Sequence, residues 1–153
     1  MRNPAYSIDF AKDLVAPEVW EKLSGQANRE AMARWAEEHC RFFHPDGAQR
    51  LAIDEDLVAL NIAFDQPEFF DKVLADLRSK DTTARARAVR LLNRYVPMGP
   101  RGETAEAYDH WWKENQAFAF ASDAGDSRWY IDPLAKKRGV SVSEMRGPRR
   151  ADQ

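Results

Sequence analysis

A chain of 153 residues, 44% hydrophobic and 31% charged, is long enough to bury a sizeable core and polar enough to need heavily solvated faces. Its formal net charge of −2 argues against nucleic-acid binding through overall charge, and its single cysteine, Cys40, excludes an internal disulfide. The opening MRNPAYSIDFAKDLV lacks the apolar run of a signal peptide, and no stretch approaches the roughly 18 apolar residues of a membrane span. The expectation is a soluble, cytoplasmic protein without membrane contact.

Residues 1–16 read as a mixed arm in which Tyr6, Ile8, Phe10, Leu14 and Val15 can pack on the elements after it. Pro17 suits the first turn of a short helix that runs to Ser24 and is ended by Gly25. A longer helix is predicted from about Ala27 to Phe43, with Met32, Trp35, Ala36, His39 and Phe43 on one face. His44-Pro45-Asp46-Gly47 signals a turn, because the residue before proline avoids the α region and Asp-Gly closes the bend. Asp54, Glu55 and Asp56 suit the positive end of another helix, continued by Leu57, Leu60, Asn61 and Phe64.

The strongest pattern is residues 67–96, PEFFDKVLADLRSKDTTARARAVRLLNRYV, which reads as two amphipathic helices closed by a tight turn. Phe69, Phe70, Val73, Leu74 and Leu77 form the first apolar stripe. Ala84, Ala88, Val89, Leu92, Tyr95 and Val96 form the second, with Arg87, Arg90 and Arg94 on the other side. Asp81, Thr82 or Thr83 is placed to cap the second helix. Asp81 in the turn, a small residue at Ala84, then Arg85, Ala88 and the Leu91–Leu92 pair resemble a HEAT repeat, which usually carries Val where this chain has Ala84. The resemblance covers about 30 of the 153 residues. It implies stacked antiparallel helices, an interaction between Asp81 and Arg85 across the turn, and an extended face suited to macromolecular partners.

Beyond Val96, the run Pro97-Met98-Gly99-Pro100-Arg101-Gly102 is loop, and a helix comes next from about Glu103 to Gln116 with Tyr108, Trp111 and Trp112. Period-two alternation over 117–121, a Gly-containing turn at 122–127 and the aromatic, β-branched run 128–131 predict a β-hairpin near 117–132. Phe118 and Phe120 are expected to press it onto the helices. Asp132-Pro133 caps a last short helix ended by Gly139, and residues 147–153 read as a flexible tail. The predicted fold is mainly α: HEAT-like antiparallel helical hairpins with a small C-terminal β-hairpin, one domain over residues 1–146.

Candidate chemistry is sparse. His39, Cys40 and His44 are the candidate metal ligands: Cys40 and His44, four residues apart, could be offered from one helix face, with His110 or Asp46 completing a zinc site, but no CxxC or HExxH accompanies them. The same residues lack an orienting group for a Cys–His nucleophile. Asp54–Asp56 suit a helix start and Asp123 and Asp126 a turn, and neither has EF-hand spacing. Leu134–Gly147 superficially resembles the start of a helix-turn-helix, yet Gly147-Pro148 leaves its second helix too short to read a groove. Trp111-Trp112 and Trp129-Tyr130 have the spacing of core residues as well as of stacking platforms. These residues give no catalytic, metal or cofactor site.

The expected function is therefore a non-catalytic module that binds another protein. The rival is a nucleic-acid-associated protein using the basic segments 85–101 and 136–150, which hold Arg85, Arg87, Arg90, Arg94 and Arg101, then Lys136, Lys137, Arg138, Arg149 and Arg150. For either reading the candidate surface is Arg87, Arg90, Arg94, Lys136, Lys137 and Arg138. Charge alternates along the chain: residues 67–101 carry 8 basic and 4 acidic groups, whereas 102–131 carry 2 and 6.

Overall fold

The computed structural model describes residues 12–100, 104–122 and 127–146, so the arm with Tyr6, Ile8 and Phe10, the residues Arg101, Asp123 and Asp126, and the tail lie outside the described residues. The described residues are mainly helical, with two antiparallel two-stranded hairpins. They fall into two compact units, residues 1–63 and 64–153. The sequence pattern draws residues 1–146 as one domain and places no boundary there.

In the first unit, helix α1 (Pro17–Ser24) starts on its proline and buries Val19. Helix α2 (Arg29–His39) is capped by Asn28, whose side-chain oxygen accepts from the Ala31 N–H at 2.9 Å. A 3-10 turn (Cys40–Phe42) leads into strand β1 (Phe43–Pro45), which pairs antiparallel with β2 (Leu51–Ile53). The helix predicted to reach Phe43 therefore stops at His39, and Phe43 belongs to a strand. Pro45 disfavours helical dihedrals at His44, and Asp46 then closes the turn. Its carboxylate accepts from the Ala48 and Arg50 N–H groups at 2.8 and 2.9 Å and pairs with the Arg50 guanidinium. The Arg50 N–H is the main influence holding the Asp46 carboxyl below its ordinary range.

Val15, Ala16, Val19 and Ala52 form one buried cluster here, with Trp20, Leu23, Trp35, Phe43 and Ile53 packed against it. Val15 bridges to Leu51, and the Ala16 N–H donates to the Leu51 carbonyl at 2.9 Å. Of the aliphatic residues of the arm, Val15 is buried and Leu14 is exposed. Helix α3 (Glu55–Leu60) is capped by the buried Asp54 carboxylate, which accepts from the Asp56 and Leu57 N–H groups, and Asn61 ends it with a left-handed backbone, φ 48°.

The second unit is built on α4 (Glu68–Arg78) and α5 (Thr82–Tyr95). Phe69, Phe70, Val73 and Leu74 are buried on α4; Ala84, Ala88, Leu91, Leu92 and Tyr95 are buried on α5. Val89, expected in the core, is 45% exposed, and Leu91 is fully buried. The inward stripe runs 84-88-91-92-95, and a residue next to Ala88 is turned about 100° from it. Asp81 caps α5 by accepting from the Thr83 N–H at 2.9 Å, while the Arg85 guanidinium donates to the Ser79 carbonyl at 2.7 Å. The side chain expected to meet Asp81 thus ties the turn through the backbone of Ser79.

Helix α6 (Ala105–Asn115), capped by Thr104, continues through a 3-10 turn (Gln116–Phe118) into β3 (Ala119–Ser122), which pairs with β4 (Arg128–Ile131). The predicted hairpin is present, but its buried side chain is Trp129. Phe118 belongs to the 3-10 turn, and Phe120 lies opposite Tyr130, one position along from the Ala121–Trp129 pair and so on the other face. Trp129 meets Phe70 and Trp112 edge-on, with centroids 5.3 and 5.6 Å away, and its indole N–H donates to the Phe64 carbonyl at 2.6 Å. Asp132 caps α7 (Pro133–Arg138), Gly139 ends it at φ 66°, and α8 (Val142–Arg146) comes last. Ser141 and Glu144 form a capping box at its start, and the Ser141 hydroxyl is the main influence lowering the Glu144 carboxyl.

Candidate interaction surface

Basic residues lie on α5 and α7 because apolar periodicity turns these positions away from the core. They do not remain equivalent. The Arg87 guanidinium pairs with Asp76 at 2.6 Å, with both side chains only about a fifth exposed (22% and 17%). Arg78 is paired with Asp109, and that hydrogen bond is the main influence raising the guanidinium pKa. Arg90 and Arg94 are exposed. Around them, Arg85, Ala86, Val89 and Asn93 are also exposed, so the outer face of α5 mixes guanidinium with aliphatic and amide surface.

Lys136 is engaged differently. Its ammonium donates to the Asn115 side-chain oxygen at 2.7 Å, and the Asn115 amide in turn donates to the Trp111 carbonyl at 2.6 Å. Asn115 is 3% exposed, so the lysine satisfies an acceptor that water reaches poorly. Nothing in the spacing of residues 21 apart signals this lock. Lys137 and Arg138 are exposed. We expect Lys136→Ala to cost about 1–2 kcal/mol, because it strands the Asn115 oxygen, and Lys137→Ala to stay within about ±0.5 kcal/mol. Urea melts of the two variants separate these outcomes, and equal losses would remove the lock.

The His39–His44 stretch is dispersed by its own local bonds. The His39 ring stacks on Trp35 with centroids 4.3 Å apart, and its Nδ1 lies 2.7 Å from the Trp35 carbonyl. The exposed Cys40 thiol donates to the Glu37 carbonyl, and His44 Nδ1 lies 3.0 Å from the Pro45 carbonyl. His110 faces Glu114 on its own helix at 3.2 Å. Among the described residues, no three or more His, Cys, Asp or Glu side chains gather as a metal site. Asp54 is a helix cap, and Glu55 pairs with Lys22 at 3.5 Å. Trp112 stacks on Phe70 with centroids 3.6 Å apart, a packing role, and Trp111 and Trp112 are both half-buried. After α7, the five residues of α8 are too few to lie along a major groove as a recognition helix.

Among the described residues, no helix is long and apolar enough to cross a membrane. Comparison with known proteins finds no matching family model, no matching curated protein and no matching solved structure.

Proposed function

We propose that this chain is a non-catalytic module that binds another protein through the outer face of α5. The observation carrying this reading is the pairing of basic side chains at home: Arg87 of α5 with Asp76, and Arg78 at the end of α4 with Asp109. What α5 then offers is a face where exposed Val89 and Ala86 adjoin Arg85, Arg90 and Asn93. Mixed aliphatic and guanidinium surface suits a protein partner better than a phosphate backbone. The HEAT-like pattern of residues 67–96 supports the same reading, since such repeats present helix faces to partners. A photo-crosslinking residue at Val89, introduced in the native host, tests it. A discrete protein adduct that is absent with the crosslinker at Lys113 supports the reading, and equal labelling from both positions overturns it.

The exposed Lys137 and Arg138 favour the second reading, nucleic-acid association through the segments 85–101 and 136–150. For the first reading we expect DNA and RNA affinity no tighter than about 10⁻⁵ M at physiological salt. Fluorescence anisotropy with a labelled duplex and a labelled single strand measures this. Sub-micromolar binding, lost when Arg87, Arg90 and Arg94 are replaced together, would decide for nucleic acid.

A further inference from the structure

We infer that residues 28–62 and 104–140 are two copies of one helix–hairpin–helix unit. Each begins with a polar cap, Asn28 or Thr104, whose side-chain oxygen accepts from the N–H three residues on. An 11-residue helix comes next, then a three-residue 3-10 turn, then the first strand of a hairpin. In both, the last side chain of the helix bonds to the tryptophan carbonyl four residues back: His39 to Trp35 at 2.7 Å, Asn115 to Trp111 at 2.6 Å. In both, an aspartate N–H closes the hairpin onto the phenylalanine ending the 3-10 turn: Asp54 to Phe42 and Asp132 to Phe118, each at 2.9 Å. That aspartate then caps a six-residue helix, whose third residue, Leu57 or Ala135, is fully buried. A left-handed residue ends each helix, and the next N–H reaches back to that buried residue at 3.2 Å, Ile62 to Leu57 and Val140 to Ala135.

Backbone strain gives the sharpest register. The positive-φ residues among the described residues are Gln49 (61°), Asn61 (48°), Ser127 (51°) and Gly139 (66°). They form two pairs, Gln49 with Ser127 and Asn61 with Gly139, each separated by 78 positions. The same separation joins Arg50 to Arg128, Ile53 to Ile131 and Asp54 to Asp132; before the turn the separation is 76, joining Trp35 to Trp111 and Phe42 to Phe118. The second copy therefore carries two more residues in its turn. Capped helices and hairpins recur separately in many folds, but independent origin has no reason to keep this order, these lengths and these identities together. The frame also marks what it does not require. Lys137 and Arg138 stand where the first copy has Ala59 and Leu60; in the last turn of α7 their charge complements the helix dipole.

Two copies of one unit should have interchangeable parts, and exchanging turns in the full chain tests this. Residues 122–127 are replaced by Asp-Gly-Ala-Gln, the sequence of Asp46–Gln49, which restores the first copy's spacing to Arg128. We expect Tm to stay within about 3 °C of the parent, with the grafted aspartate carboxyl titrating below its ordinary range, as Asp46 does beside Arg50. A control graft one residue shorter shifts the strand register, moves Trp129 to the wrong face and should lower Tm by about 8 °C or more. Equal collapse of both grafts, or an ordinary carboxyl titration in the first, would overturn the duplication. A second measurement does not depend on the turn. Beyond the adjoining backbone, nothing lies within 4 Å of a Cβ built on Gly139, so substitution there reports mainly the backbone. Gly139→Asn, the first copy's residue, should hold Tm within about 2 °C, and Gly139→Ala should lower it by about 2–4 °C. Equal losses from both would again count against equivalence of the two positions.

Discussion

Phe70→Ala lowers the stability of this protein by about 3–5 kcal/mol, among the largest losses open to a single side chain here. Phe70 is fully buried on α4, where it touches aromatic rings from three directions. Trp112 stacks on it at 3.6 Å, Trp129 meets it edge-on at 5.3 Å, and Phe69 stands perpendicular at 5.5 Å. Truncation removes the transfer energy of the ring and leaves a cavity that rigid neighbours fill poorly. It also unseats the hairpin, because Trp129 is the hairpin's buried side chain and Phe70 is one of its supports. Phe70→Leu retains much of the volume and should cost clearly less. Urea denaturation followed by tryptophan fluorescence measures both. A Phe70→Ala loss below about 1 kcal/mol would mean that the cluster is not the core of its unit.

The elements legible in the sequence are those whose own residues repeat at the period of their structure. Helices α4 and α5 show 3.6-residue stripes from Phe69 to Tyr95, and the second hairpin shows two strand-like runs around a glycine turn. The first hairpin is hidden because its strands are three residues long and Phe43 prolongs the stripe Met32, Trp35, Ala36, His39. Only Pro45 breaks that pattern, and a proline states where a helix must end without naming the element beyond it. The candidate surface was legible as a set of cations but not as a set of available ones. Arg87 loses its freedom to Asp76 across the turn, and Lys136 to an asparagine that the sequence separates by 21 residues. Of the left-handed residues, Gly139 is legible as a helix end, whereas Gln49 and Ser127 are not, because neither residue type marks a position of positive φ as glycine does.

Leu92→Ala should cost about 2–5 kcal/mol, while Val89→Ala, three residues earlier on the same helix, stays within about ±0.5 kcal/mol. The two residues differ little in hydrophobicity, so the contrast isolates orientation. Leu92 is 1% exposed and lies on the stripe shared with Ala88, Leu91 and Tyr95. Val89 is 45% exposed, so its methyl groups lose little contact when removed. The same pair bears on function. If the outer face of α5 docks a protein, Val89→Asp leaves the urea midpoint nearly unchanged yet abolishes the crosslinked adduct formed from a probe placed at Asn93. Leu92→Ala lowers the midpoint first and affects capture only where the fold is lost. A Val89→Asp variant that is stable and captures its partner as the parent does would move the binding face off α5, leaving the packing argument for Leu92 intact.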